Sequence, residues 1–248
     1  MGEALRAPAP ASRGREGSDG RERPAGEPPC YAALDLGTNN CRLLIATPAP
    51  HGFRVVEAYS RIVRLGEGLT QSGRLSDAAM DRAVAALKVA GEKVRRRRVA
   101  KFRAIATQAC RIAVNGQAFV NRVANETGVR LQVITPQEEA RLSVTGCLNL
   151  LDGNHDAALV VDVGGGSTEL SWVDLKAAPP VGPPPVRAWM SAPIGVVTLA
   201  ERFPEGEVAT EGWFRQMVEH VKDEIAAFRR ADSMRPVFEA GRAHLVGT

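Results

Sequence analysis

The stretch AALVVDVGGGSTELSWVD, residues 157–174, decides how the chain is read. An apolar run ends in Asp162. Three glycines follow, Gly164, Gly165 and Gly166, and a second apolar run begins after Ser167, Thr168 and Glu169. Glycine costs backbone entropy on ordering and offers no side chain to pack. Three in a row between two strands point to something that must come close to the main chain. An ordinary hairpin loop also uses glycine. A phosphate is the stronger candidate, because bare N–H groups in a tight turn form an anion-binding concavity.

A second copy strengthens that reading. YAALDLGTNNCRLLIATP begins at Tyr31, and sliding it over the first stretch sets Asp35 against Asp162 and Gly37 against Gly164. Thr38, Asn39 and Asn40 then fall opposite Gly165, Gly166 and Ser167. Both copies are an apolar strand ending in Asp, a glycine after one intervening residue, small polar residues and a second apolar strand. The repeat predicts two similar lobes, each presenting an aspartate and a phosphate-sized loop to a shared cleft.

The composition leaves room for this. A chain of 248 residues, 44% hydrophobic, holds one large or two ordinary domains. No run approaches the roughly 18 apolar residues of a membrane helix. Cys30, Cys41, Cys110 and Cys147 are widely spaced, with no C-x-x-C pair. This reads as a reduced, cytosolic chain without a zinc or disulfide framework. The net charge is +4, and residues 1–29 add nothing to it, five arginines facing five acidic residues. That leader is rich in Pro, Gly and Arg and lacks an apolar h-region, so it reads as disordered rather than as a signal peptide. The densest basic run, VRRRR at Val94–Arg98, closes a helix, where cations favour the negative end of the dipole. No specific nucleic-acid partner is expected from it.

Strand and helix patterns alternate along the chain, which indicates an α/β protein. A third strand is expected from Phe53 to Val63, then a glycine-punctuated loop, RLGEGLTQSGR. A helix follows with Ser76 as N-cap and apolar spacing at Met80, Val84, Leu87 and Val94. FRAIAT is a short buried strand, NGQAFVNRVANETG a helix stopped by Gly128, and LQVIT a further strand. PQEEARLSVTGCLNLL opens a helix on Pro136, a position that tolerates proline, and puts Glu138 and Glu139 into its first turn. The linker LDGNHD marks the lobe boundary, giving a first lobe at residues 30–153 and a second at 154–248. The second lobe carries its strand pair, a strand at VRAWMSA and helices at IGVVTLAERF and TEGWFRQMVEHVKDEIAAFRR.

Taken together, ALDLGTNN, ATQACR, TPQEEARL, DVGGGSTEL and IGVVTLAERF resemble the exopolyphosphatase / guanosine pentaphosphate phosphohydrolase (Ppx/GppA) family, within the actin-like ATPase and sugar-kinase superfamily. The resemblance runs from about Tyr31 to the last residue. It implies two ribonuclease-H-like lobes and a soluble enzyme, usually dimeric, that hydrolyses terminal phosphates of polyphosphate or guanosine pentaphosphate, usually with magnesium. In the family LVGT leads into a further glycine-rich turn and more helices, so the second lobe is expected to be incomplete at Thr248.

The resemblance matches Glu139 to the carboxylate that activates water, with Glu138 as close rival. It matches Arg111, at the end of TQACR, to the arginine that contacts substrate, where a guanidinium grips a phosphoryl group through two parallel bonds. Asp162 and Glu169 are expected to hold magnesium and its waters, an ion suited to oxygen ligands. Asp35 is their counterpart across the cleft. Gly37, Thr38 and Asn39, with Gly164, Gly165, Gly166 and Ser167, are expected to bond phosphate oxygens. Thr38 and Asn40 stand where many members have serines, which bears on substrate preference. A superfamily kinase and a phosphate- or nucleotide-sensing module without turnover are the rival readings.

Overall fold

The computed structural model describes residues 28–50, 52–179, 182–228 and 234–248. The leader at residues 1–29 thus lies outside the described residues except for Pro28 and Pro29. The first sheet grows from alternation. In β1 (Tyr31–Leu36) the residues Ala32, Leu34 and Leu36 are buried while Tyr31 and Ala33 are exposed. The same period-two pattern buries Cys41, Leu43 and Ile45 of β2 (Asn40–Ala49). β1 pairs antiparallel with β2, which pairs antiparallel with β3 (Gly52–Ile62). β4 (Lys101–Ala106) lies parallel to β1, and β5 (Leu131–Val133) parallel to β4, giving the order β3-β2-β1-β4-β5.

The second sheet repeats this plan. β6 (Ala157–Val163), β7 (Thr168–Asp174) and β8 (Val186–Ala192) form an antiparallel run, and β9 (Ala243–Gly247) joins parallel to β6. The order β8-β7-β6-β9 matches β3-β2-β1-β4 of the first sheet. The chain therefore has two ribonuclease-H-like lobes, the architecture of the actin-like ATPase superfamily.

The helices depart from the sequence pattern in instructive ways. The glycine-punctuated loop contains one helical turn, α1 (Leu69–Ser72), bracketed by Gly68 and Gly73, both with positive φ. α2 (Asp77–Arg96) is capped by Ser76, whose hydroxyl accepts from the Ala79 N–H. Its fully buried face is made mainly of Ala79, Ala83, Ala86, Ala90 and Gly91, with Val84 and Leu87. Met80 and Val94, expected in the core, only flank it. Small residues let the helix lie close to the sheet, so that of the larger expected side chains Val84 and Leu87 are buried while Met80 and Val94 fall to the margin. At the end of α2, Lys93, Arg96 and Arg97 all bond Glu57 of β3, at 2.6, 2.8 and 2.7 Å. Their hydrogen bonds, Lys93 first, hold the Glu57 carboxyl down at about 2. The basic run thus ties helix to edge strand, in keeping with the helix-end reading.

The ATQACR segment folds into α3 (Gln108–Ile112), and α4 (Gly116–Thr127) ends on Gly128 at φ 73°. α5 (Pro136–Gly146) is started by Thr135, whose hydroxyl accepts from the Glu138 N–H, with proline in the first turn. Removing such a cap costs about 1 kcal/mol. Val144 of α5 and Cys147 sit in one cluster with Ala158, Val160, Val173 and Val246. Side-chain packing thus passes to the second sheet at α5, ahead of the boundary expected at residue 154. The chain then continues through α6 (Val196–Arg202), α7 (Glu211–Ile225) and α8 (Arg235–Glu239). No residue of α7 is buried, and Phe214 is 59% exposed.

Candidate active site

The two loops of the repeat close in the same way. Gly37 N–H donates to the Asn40 carbonyl and Gly164 N–H to the Ser167 carbonyl, each at 2.9 Å. The strands behind them are in matching register, Asp35 opposite Arg42 and Asp162 opposite Glu169. The loops meet across the lobes. A Cβ on Gly165 would lie 2.9 Å from the Asn39 nitrogen and 3.1 Å from the Thr38 Cβ. On Gly166 it would lie 1.9 Å from the Gln108 Oε1. None of the three glycines has a positive φ. What comes close to Gly165 and Gly166 in the structure is therefore the loop of the other lobe, together with α3. Close approach, not backbone twist, requires glycine there.

One cavity of about 640 Å³ opens beside this junction. It gathers Asp35, Gly37, Thr38 and Asn39 from the first lobe with Asp162, Gly164, Gly165, Gly166, Ser167 and Glu169 from the second. Glu139 reaches it from α5. Glu138 does not line it. Consecutive helical residues point about 100° apart, and Glu138 turns to the surface to pair with Arg103. Arg111 does not line it either. Its Nη1 donates to the Ile134 carbonyl at 2.8 Å and to Glu139 Oε2 at 3.2 Å. The guanidinium is thus placed behind the glutamate.

Burial dominates the electrostatics. Glu139 is pushed up to about 7, chiefly by desolvation and then by Glu169, and Arg111 only partly offsets this. Asp35 is raised to about 6 by burial, Arg42 opposing and Asp162 adding. Glu169 is also raised by burial, although the Ser191 hydroxyl donates to it at 2.7 Å. Asp35 Oδ1 is buried without a hydrogen-bond partner.

The sequence profile of the Ppx/GppA phosphatase family matches residues 44–247. The chain belongs to the Ppx/GppA phosphatase family. An exopolyphosphatase-like protein of known structure is 32% identical with a TM-score of 0.74; the match covers 88% of this chain and 65% of that one. The Ppx/GppA family member from Aquifex aeolicus is 30% identical at TM-score 0.62, covering 80% and 62%. An exopolyphosphatase from Cytophaga hutchinsonii is 25% identical at TM-score 0.73, covering 88% and 66%. The chain thus spans just under two thirds of the length of these Ppx/GppA structures.

Arg42, Thr107 and Ser143 also line the cavity and were not picked out from the sequence. The repeat held the signal for Arg42. Continued two residues past the glycine loop, it sets Arg42 against Glu169. Magnesium fits the donor set by its chemistry: Asp35, Asp162, Glu139 and Glu169 are all oxygen donors on one cavity, with mutual repulsion that a cation relieves. Among the described residues no three such groups form a ready-made cage. No helix among the described residues is long and apolar enough to cross a membrane.

Proposed function

We propose that the chain hydrolyses terminal phosphoanhydride bonds of inorganic polyphosphate or guanosine pentaphosphate, with Glu139 as general base. One observation carries this reading. The carboxyl poised at about 7 stands in the same cavity as both phosphate-sized loops. A base with a pKa near the working pH combines availability with proton affinity. Water held by Glu139 attacks the terminal phosphorus and its proton passes to the carboxylate. The bridging P–O bond breaks, and inorganic phosphate leaves with a chain one unit shorter. Main-chain N–H groups of the two loops, other than those of Gly37 and Gly164 that close the turns, with the hydroxyls of Thr38 and Ser167 and with Arg42, would orient the phosphates. Arg111 would hold Glu139 in place. Asp162 and Glu169, with Asp35 facing them, would hold Mg²⁺, which when bound supplies neutralising charge for the phosphoryl oxygens.

Phosphate release from polyphosphate and from guanosine pentaphosphate, with and without Mg²⁺ and with no acceptor present, tests the reading. Release that needs the metal is expected. Transfer only to an added acceptor would make the protein a kinase, and tight binding without release would make it a sensor. A cytoplasmic setting and a homodimer, which the family resemblance implies, belong to the same proposal and are checked by fractionation and by light scattering.

A further inference from the structure

α6 touches the supports of both phosphate loops. At its start, Val196 N–H donates to the Gly164 carbonyl at 3.0 Å and Val197 N–H to the Gly165 carbonyl at 2.8 Å. A Cβ on Gly195 would lie within 2.6 Å of Gly164 and Gly166 main-chain atoms, so this joint has no slack. Thr198 Oγ1 fastens it further by accepting from Gly195 N–H at 2.8 Å. Near its end, Glu201 reaches across the lobes, and its Oε1 accepts from the Gly68 N–H at 2.8 Å.

Gly68 belongs to the segment that holds the first phosphate loop. In that segment Gly66 N–H donates to the Thr38 carbonyl, and the N–H groups of Val63 and Arg64 donate to the Asn39 carbonyl, at 2.8–3.0 Å. Gly66 also has no room for a side chain, since a Cβ would lie 2.2 Å from Thr38 Cγ2. Glu201 Oε2 is buried with no partner. Leaving a buried polar atom unpaired costs stability, so packing alone does not favour a glutamate here.

We infer that Glu201 is a positioning residue: through Gly68 it makes α6 a strut, about 10 Å long, that fixes the spacing of the two phosphate loops. The inference rests on the proposed phosphoanhydride hydrolysis for its effect on turnover, and on the geometry alone for its effect on the loops. A phosphate chain gripped by both loops loses contacts to one of them when their separation is no longer fixed, so the loss falls first on binding.

Glu201→Ala removes the acceptor, Glu201→Gln keeps it, and Glu201→Asp withdraws it by one methylene and serves should the alanine variant unfold. Amide hydrogen exchange is read over residues 63–68, and kcat and KM are read with polyphosphate. In the alanine or aspartate variant, exchange at Gly68 and its neighbours is expected to rise about tenfold or more. KM should rise by a similar factor, more than kcat falls. Glu201→Gln should restore both to within about twofold. Unchanged exchange and KM in Glu201→Ala would overturn the inference, as would a glutamine variant as impaired as the alanine one. If the parent protein releases no phosphate while exchange responds as described, the hydrolase reading fails and the strut stands. If turnover is present and neither exchange nor KM responds, the strut fails and the hydrolase reading stands.

Discussion

Two adjacent carboxylates at the start of α5 meet different surroundings. Arg103 takes Glu138 at the surface, whereas Glu139 enters the cleft with its carboxyl at about 7. Glu139→Gln is therefore expected to lower kcat by about a hundred- to ten-thousandfold while sparing substrate affinity. Glu138→Gln should leave kcat within a few-fold; the reverse ranking in steady-state assays would move the base to Glu138. kcat/KM should climb as pH rises through about 7, because the base acts only when ionised, and Glu139→Gln should lose that limb. Stability runs the other way. Glu139 and Asp35 keep protons in the folded state at pH values where the unfolded chain has released them. The ligand-free protein should therefore lose on the order of 1–3 kcal/mol between about pH 4 and pH 8. Glu139→Gln should flatten that slope in thermal melts. Mg²⁺ should raise Tm more at pH 8, where these carboxylates are ionised, than at pH 5. A metal effect independent of pH would separate the ion from this cluster.

At the scale of the elements, both loops were visible as a repeat of Asp, glycine and small polar residues between strands, because strand periodicity and glycine are local signals. The work of the glycines was not visible. Gly165 and Gly166 are small because Thr38, Asn39 and Gln108 of the other lobe press on them, and pairwise approach between distant segments leaves no local mark. Gly166→Ala should accordingly prise the loops apart. Turnover is expected to fall at least about a hundredfold, and because Gly166 is buried against Thr38 and Gln108 the melting temperature should fall as well. Activity near that of the parent in Gly166→Ala would show that the junction yields. The pairing of Arg111 with Glu139 was hidden for the same reason. An arginine five residues beyond the end of β4 can be assigned to the site from sequence, but which group it bonds depends on the path of α5.

Over the whole molecule, the α/β class and the likeness of the two lobes followed from alternation and the repeat, while the strand order and the handover of packing at α5 did not. A helix that leaves one lobe and packs on the next looks the same in sequence as one that stays. The two lobes also differ in how much apolar surface they bury. The first sheet, α2 and α4 share one large cluster that includes Leu34, Ile45, Leu87 and Phe119, each at most 1% exposed. The second sheet rests on a smaller cluster around Val160 and Val173, and α7 buries no residue at all. Amide exchange is therefore expected to be faster in residues 157–247 than in 31–133, since local opening is easiest where few apolar contacts must be broken. Equal protection in both would show that the second lobe is held by more than its own core. One further consequence follows from the strand register behind the loops. Asp35 faces an arginine, while its counterpart Asp162 faces a glutamate. The two jaws share a plan, and this inversion of charge makes them unequal. A polymer of identical phosphates has no head or tail of its own. On the reading proposed above, the cleft confers one, with the anionic tail drawn to the Arg42 side.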